Sequence, residues 1–374
     1  MIQTEKTKMV GAMRAVMPGV EKGTSGIEGA NLFLFKDNRI FTYNGVTSVS
    51  VPFDMGGAKF GVKAADLFAF VSKLNDLLVN VELVMDKENP ERVKSVKVTS
   101  GKAKANFALA DTTEIEKYLE GIAFEEGKPC PENFAEAFAL TIIKNNIHAE
   151  MKGVVTTKIG DKTFLAASDK RRISVHELNG EMEEFKVDDD VLADALKLGN
   201  PKTYAIVGPW LHLGFDGDVT FSCIRQDLSQ FNAPQMLAAM DRLYTIAPAV
   251  EGKLPKALPE AIARVSALAD VANANTGLTA RLTFTPEGIT AYTEKSGSGN
   301  AEELVPWDAD VKFANDGEAV CAWVSINILL EAGNKVTDFK VVCTNPERKS
   351  YAFLFTGENY KALVGGITLK DEQK

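Results

Sequence analysis

An α+β fold built from three similar units is the architecture this sequence predicts, and three observations carry it. Hairpin-like stretches recur at intervals of about 125 residues: "NLFLFKDNRIFTY" (31–43), "GVVTTKIGDKTFLAA" (153–167) and "ARLTFTPEGITAYT" (280–293). A short strand running into an amphipathic helix follows each one, in "FGVKAADLFAFVSKLND" (60–76), "FKVDDDVLADALKLGN" (185–200) and "CAWVSINILLEAGNKV" (321–336). A further amphipathic helix precedes each set, around 4–17, 134–148 and 258–272, and a second hairpin closes each set, at 93–110, 210–224 and 339–355.

The first hairpin rests on alternation, Leu32 and Leu34 against Phe33 and Phe35, with Asp37-Asn38 at the turn. Gly160-Asp161 and Pro286-Glu287-Gly288 supply the same turn chemistry in the other two. In the helix after Phe60, the residues Leu67, Phe70, Val71 and Leu74 repeat at helical spacing and form one apolar stripe. Asp188 to Asp190 place acids at a helix start, where the dipole favours negative charge. The Gly/Pro-rich stretches "EEGKPCPEN" (125–133) and "PAVEGKLPKALPE" (248–260) read as linkers, dividing the chain into domains at 1–125, 126–248 and 249–374. The two halves of each third resemble one another in element order, so the chain divides further into six small units.

Bulk properties agree. A chain of 374 residues is too long for one ordinary core. Its 45% hydrophobic and 25% charged content is ordinary globular composition. The net charge of −9 argues against DNA binding by bulk charge, but says little about a chain that gathers its cations on one face. Cys130, Cys223, Cys321 and Cys343 lie far apart with no C-x-x-C spacing, so reduced, buried thiols are expected. The charged N-terminus lacks the apolar run of a signal peptide, and no window is long enough to span a membrane. A soluble, cytoplasmic protein with no membrane partner is the expectation.

No enzymatic constellation is present. The sequence has no phosphate-binding G-x-x-x-x-G-K-[ST] loop, no H-E-x-x-H and no G-x-G-x-x-G between strand and helix. His148, His176 and His212 are isolated, and no Cys/His group has zinc spacing. Neither catalytic residue, nor metal, nor cofactor is assigned. Paired acids leave no sequence mark, so an enzyme with carboxylates meeting in space stays open as a rival.

Taken with its local motifs, the sequence resembles the bacterial DNA polymerase sliding clamp, the β subunit of the replicative polymerase, over nearly its whole length. "LAASDKRRISVHEL" (165–178) contains Ala167 to Val175, similar to the family's A-T-D-G-H-R-L-A-V segment, with Lys170 in place of a glycine and Arg171 in place of a histidine. Val324-Ser325 resembles the family's N-V-S-Y run, with Trp323 and Ile326 at its ends. The resemblance implies three DNA-clamp domains forming half of a ring, and a head-to-tail homodimer closed around double-stranded DNA. It also implies the absence of catalysis, and as partners the replicative DNA polymerase and a clamp loader. A peptide-binding pocket is implied at Met151, Ser168, Lys170, Arg171, Arg172, Ile173, Val324, Ile326, Leu363, Val364 and Ile367. The chain departs from the family at its end, "VGGITLKDEQK", which carries Gly365, Gly366 and an extra polar tail.

Each implied site has a plainer reading beside it. Asp169 to Arg172 is either a solvated turn or the rim of that pocket, where the planar fork of Arg172 would hold a partner's carboxylate. Met151, Ile173, Leu363 and Val364 are either pocket wall or ordinary core. Lys6, Lys8, Arg14, Lys73, Lys144, Lys197, Arg264 and Lys335 lie on or beside repeat helices and are either DNA-facing or ordinary surface cations. A dispersed set of cations attracts phosphates without reading bases, which sliding requires. Phe107 and Leu109, with Ala267 and Leu268 opposite, are either the dimer interface or intradomain packing. A scaffold of the same repeated units with no DNA in the hole is the alternative function.

Overall fold

The structure is a computed structural model, describing residues 2–23, 26–86, 93–122, 126–144, 146, 148–229, 231–273, 277–314 and 318–367. The first third runs β1 (Ile2–Glu5), α1 (Lys6–Val16), β2 (Leu32–Lys36), β3 (Arg39–Tyr43), β4 (Thr47–Pro52) and β5 (Phe60–Lys63). It continues with α2 (Ala64–Ser72), β6 (Leu78–Met85), β7 (Val93–Ser100), β8 (Ala103–Ala108) and α3 (Thr113–Glu120). The second third repeats the order: β9 (Lys128–Pro129), α4 (Phe134–Thr141), β10 (Val154–Ile159), β11 (Lys162–Ser168), β12 (Arg172–Glu177) and β13 (Lys186–Val187). Then come α5 (Asp189–Leu196), β14 (Thr203–Val207), β15 (Trp210–Phe215), β16 (Val219–Ile224) and α6 (Ala233–Tyr244). The last third has β17 (Val250–Lys253), α7 (Leu258–Val265), β18 (Val271–Asn273), β19 (Gly277–Thr285), β20 (Gly288–Lys295) and β21 (Gly299–Pro306). It ends with β22 (Lys312–Phe313), β23 (Val320–Ser325), α8 (Ile326–Gly333), β24 (Asp338–Asn345), β25 (Ser350–Thr356) and β26 (Tyr360–Gly365).

The expected hairpins and strand-to-helix passages are therefore present three times. The helix at 4–17 is preceded by β1, and the helix at 134–148 stops at Thr141. The helix at 258–272 ends in a 3-10 turn at 266–268, followed by β18. Spacing explains the helices. α1 buries Met9, Ala12, Met13 and Val16, and α7 buries Leu258, Ala261, Ile262 and Val265, the same i, i+3, i+4, i+7 stripe. Each fully buried Met, Leu, Ile or Val contributes roughly 1.5–3 kcal/mol over its exposed form. At α5 the Asp188 side chain accepts from the Asp190 N–H, so the acid run is a helix cap.

The chain forms two compact units. Unit 1 comprises Met1–Ala135 and Val187–Gln226; unit 2 comprises Glu136–Lys186 and Asp227–Lys374. Unit 1 holds a sheet ordered β1-β6-β7-β8 and an eight-stranded sheet ordered β5-β2-β3-β4-β16-β15-β14-β9. Unit 2 holds a nine-stranded sheet ordered β13-β10-β11-β12-β26-β25-β24-β17-β22, and a sheet ordered β18-β19-β20-β21 in which β23 also pairs β19. β4 pairs β16 and β12 pairs β26, both antiparallel. Those two pairings explain why compactness does not follow the repeat: each continues a sheet from one third of the sequence into the next.

All four cysteines are free thiols. Cys130 and Cys223 are buried as expected; Cys321 is exposed, on the side of its strand turned from Val320, Ala322 and Val324, and Cys343 is half-buried. Among the described residues no helix is long and apolar enough to cross a membrane.

Candidate functional site

The basic stretch that follows β11 is a tight turn organised by Asp169. Its Oδ1 accepts the Arg171 N–H at 3.2 Å and the Arg172 N–H at 3.0 Å, while Lys170 takes a left-handed φ of 69° at the tip. Lys170 is exposed and pairs with Glu150 at 2.8 Å. Arg171 is half-buried, and Ser168 is buried with its carbonyl accepting from Asn146 at 3.0 Å.

Arg172 turns inward, which overturns its expected role as a peptide anchor. Its side chain is 7% exposed; Nε donates to Asp169 Oδ2 at 2.7 Å and Nη1 to Glu331 Oε2 at 2.6 Å. Nη2 donates to the Lys144 carbonyl at 2.6 Å. Each nitrogen of the fork has an internal partner, and the side chain is held among Asp169, Glu331 and the Lys144 carbonyl. Lys335 belongs to the same cluster and is likewise not a DNA-facing cation. Its ammonium is buried, donating to the Ile142 carbonyl at 2.6 Å and lying 3.5 Å from Glu331. Burial pushes it down to about 8, against the opposing pull of Glu331.

The other expected pocket residues separate by sheet face. Across the β12–β26 pairing Ile173 stands opposite Leu363, and Arg172 opposite Val364. Successive residues project to opposite faces, so Ile173 and Leu363 share one side and Val364 the other. Ile173 and Leu363 pack with Met236, Leu237 and Met240 of α6. Val324, Ile326 and Val364 are core residues at 0%, 2% and 1% exposure, not pocket wall. Met151 is half-buried in a 3-10 turn at 149–151, and Ile367 forms a bridge to Trp323.

The α6 helix was not expected. Asn232 caps it by accepting the Gln235 N–H at 3.1 Å, with Pro in its first turn, and Leu237, Met240 and Tyr244 form a stripe at helical spacing; these were its sequence signals. Tyr244 is fastened to the sheet, its hydroxyl donating to the Phe355 carbonyl at 2.6 Å. Beside α6 lies a groove of about 340 Å³ with Phe164, Val175, Leu237, Met240 and Tyr360 in its lining. The pairs Lys162–Glu177 at 2.8 Å and Lys361–Asp241 at 2.9 Å stand at its rim. Of the expected pocket residues, the structure brings together Ile173 and Leu363 on this helix-covered face.

Among the strands that end their sheets, two have counterparts in other thirds that are paired. In each of the first two thirds the third strand after the leading helix finds a partner: β4 pairs β16, and β12 pairs β26. The corresponding strand of the last third, β21, and the strand of the first third corresponding to β16 and β26, which is β8, end their sheets. β8 carries exposed Lys104 and follows exposed Lys102, whereas β21 carries exposed Glu302 and a 47%-exposed Leu304. Phe107 is half-buried against Phe70, ring centroids 5.9 Å apart, so the intradomain contact is present. Leu109 and Leu268 are half-buried and Ala267 is exposed.

The remaining cations differ in their surroundings. Lys8, Arg14 and Lys73 are exposed on or beside α1 and α2 with no ion-pair partner among the described residues. Lys6 donates to the Leu74 carbonyl. Lys197 pairs with Asp194 at 2.5 Å, and Arg264 pairs with Glu303 at 2.5 Å. Lys144 is exposed, its backbone N–H donating to Glu331 at 3.1 Å. Among the described residues, Asp188–Asp190 is the one cluster of three acids with metal-ligand spacing, and its capping role accounts for it.

Comparison with solved structures gives full-length matches. The chain is similar to the DNA polymerase sliding clamp from Bacillus subtilis, with 16% identity and a TM-score of 0.74 over 98% of this chain and 99% of that one. It is similar to the DNA polymerase III beta chain from Streptococcus pneumoniae, with 13% identity and a TM-score of 0.77 over 98% and 99%. It is also similar to the beta subunit from Thermotoga maritima, with 14% identity and a TM-score of 0.74 over 99% of both. No family model matches the sequence, and no curated protein matches it. The chain has the sliding-clamp fold, as its resemblance to that family implied.

Proposed function

We propose that this chain is a DNA sliding clamp: a non-enzymatic processivity factor that closes as a head-to-tail homodimer around duplex DNA and tethers a polymerase there. The observation that carries the reading is that β8 and β21 end their sheets while their counterparts in the other thirds are paired. A strand edge with free N–H and C=O groups is a standing invitation to pairing. Twice the chain satisfies that need by the same antiparallel pairing, β4 with β16 and β12 with β26. The third pairing of the series, β21 with β8, is supplied by a second copy, with Glu302 on one edge facing the Lys102 and Lys104 side of the other. Repeating a heterologous contact of this kind closes a ring when the rotation allows it.

In this reading the three clamp domains are 1–125, 126–248 and 249–374, each completed by a strand from its neighbour. Lys8, Arg14 and Lys73 on α1 and α2, with Lys144, Lys197 and Arg264, attract phosphates through long-range charge. Such contacts position without reading sequence, so the duplex slides. Held topologically, a polymerase works at high effective concentration on its template. The partner peptide docks on the Ile173–Leu363 face beside α6, not on Arg172. A separate loader opens the ring, since the sequence contains no phosphate-binding loop.

The test is retention on DNA. Loaded by a clamp loader onto nicked circular DNA, the protein co-elutes with the circle and leaves it when a restriction enzyme linearises it. Equal retention on circular and linear forms sinks the topological reading and favours a scaffold that merely adheres.

A further inference from the structure

We propose that unit 1 contains a binding site for an amphiphilic organic anion, a carboxylate or phosphate carried on a flat apolar body. The site is a groove of about 370 Å³ on the face where β4 pairs β16, within the roughly 300–1,000 Å³ typical of small-molecule pockets. Its floor is a two-by-two array of hydroxyls, because the register sets Ser50 opposite Thr220 and Ser48 opposite Ser222. Directly opposed residues project to the same face.

The hydroxyls are not all spoken for. Ser50 accepts from Arg39 Nη2 at 2.9 Å, and Ser222 is hydrogen-bonded to His212 at 2.8 Å. Ser48 and Thr220 have no side-chain hydrogen bond among the described residues. Phe41, Leu119 and Ile122 form an apolar wall above this floor.

Arg39 closes one end, and the chain itself shows what that end accepts. Its guanidinium holds the Asp218 carboxylate, while Nη2 also donates to the Asp218 carbonyl at 2.6 Å. The Asp218 side chain is 78% exposed, on a turn residue with φ of 57°. An exposed ion pair contributes little, roughly 0–1 kcal/mol. The carboxylate is therefore a displaceable stand-in, whereas the Asp218 carbonyl and Ser50 keep the guanidinium aimed at the groove after it leaves. A ligand oxyanion in that place gains Arg39 and the neutral hydroxyl donors, and its apolar body covers Phe41, Leu119 and Ile122.

The other groove sharpens the chemistry. Lys162, Phe164, Val175 and Glu177 hold the same hairpin positions in unit 2 as Arg39, Phe41, Ser48 and Ser50 in unit 1. There a valine and a glutamate replace the two serines, and the glutamate is paired with Lys162 at 2.8 Å, so that groove lacks the hydroxyl donors of this one.

Calorimetric titration of the full chain with phenyl phosphate tests the proposal, with phenylacetate and inorganic phosphate as parallel arms. Saturable one-to-one binding of phenyl phosphate or phenylacetate is expected, with inorganic phosphate at least about tenfold weaker because it leaves the apolar wall unused. Asp218→Asn removes the internal competitor and tightens binding by up to about fivefold. Arg39→Met weakens it at least about tenfold, the loss of a charge-assisted hydrogen bond. Ser48→Ala weakens it as well and keeps the test decisive if Arg39→Met fails to fold. The proposal is overturned if neither wild type nor Asp218→Asn binds either aromatic anion. Binding indifferent to Asp218→Asn and Ser48→Ala overturns it too, as does inorganic phosphate binding as tightly as phenyl phosphate.

Discussion

Arg172 and Glu331 are 159 residues apart in sequence and meet at 2.6 Å, joining the start of β12 to helix α8 within unit 2. With Asp169 on the other side of the guanidinium, they make a buried ion-pair cluster, not a binding rim. Breaking such a cluster by removing one member leaves an uncompensated charge, which costs about 3–5 kcal/mol. Arg172→Met and Glu331→Leu should each lower the unfolding free energy from urea titration by that order, and the double variant should lose less than the sum. Additive losses in a double-mutant cycle would mean that the two side chains are not coupled.

His212 gives a pH dependence with a definite sign. It is fully buried, bonded through Nδ1 to Ser222 at 2.8 Å, and burial pushes it down to about 4 from 6.5. Between those values the unfolded chain binds a proton that the folded chain refuses, so stability falls as pH falls from 6.5 towards 4. The loss from this residue is at most about 3 kcal/mol. His212→Asn should remove that part of the slope when wild type and variant are melted across the window. Parallel curves for the two proteins would rule the residue out as its source.

The dimer reading makes Leu304 a sensitive position. It is 47% exposed on the β21 edge, so Leu304→Lys should leave the melting temperature of the chain within about 2 °C while shifting sedimentation from dimer towards monomer. An unchanged sedimentation coefficient would place the interface elsewhere.

Salt dependence tests the cations. Replacing Lys8, Arg14 and Lys73 together by Glu should weaken binding to duplex DNA at all sequences alike. The slope of log affinity against log salt should fall by roughly 0.9 for each phosphate that is no longer neutralised. If the slope does not move, these three side chains do not meet the backbone.

Gly366 is required by a close approach. Its N–H donates to the Tyr351 carbonyl at 2.9 Å, and the next residue, Ile367, donates to the Trp323 carbonyl at 2.7 Å. A Cβ at Gly366 would run into the Tyr351 carbonyl. Gly366→Ala should therefore destabilise unit 2 by about 1–3 kcal/mol, measurable by urea unfolding. Wild-type stability in that variant would show that Gly366 and Ile367 are not held against β23 and β25.

Much of the fold could be read directly from the residues, because alternation and helical stripes are local. Leu32 to Phe35 could be placed as a strand without any tertiary knowledge, and so could the stripe of α2. The α3 and α6 helices, at the ends of the first and second thirds, escaped because they have no counterpart in the last third among the described residues, so the threefold repeat did not expose them. Arg172 was misread for another reason. A cation in a polar turn has the same local pattern whether it faces water or Glu331, and the acid that decides is far away in the chain. Val324, Ile326 and Val364 were apolar in either role, and apolarity does not distinguish a core from a pocket wall.

Order along the chain determined the repeat, its helices and its hairpins, since backbone preference and apolar periodicity act between near neighbours. Only the tertiary structure decided which cations are buried, which apolar residues share a face, and that β8 and β21 end their sheets. Those outcomes depend on pairing and desolvation between residues a hundred or more positions apart, where no local pattern can record them.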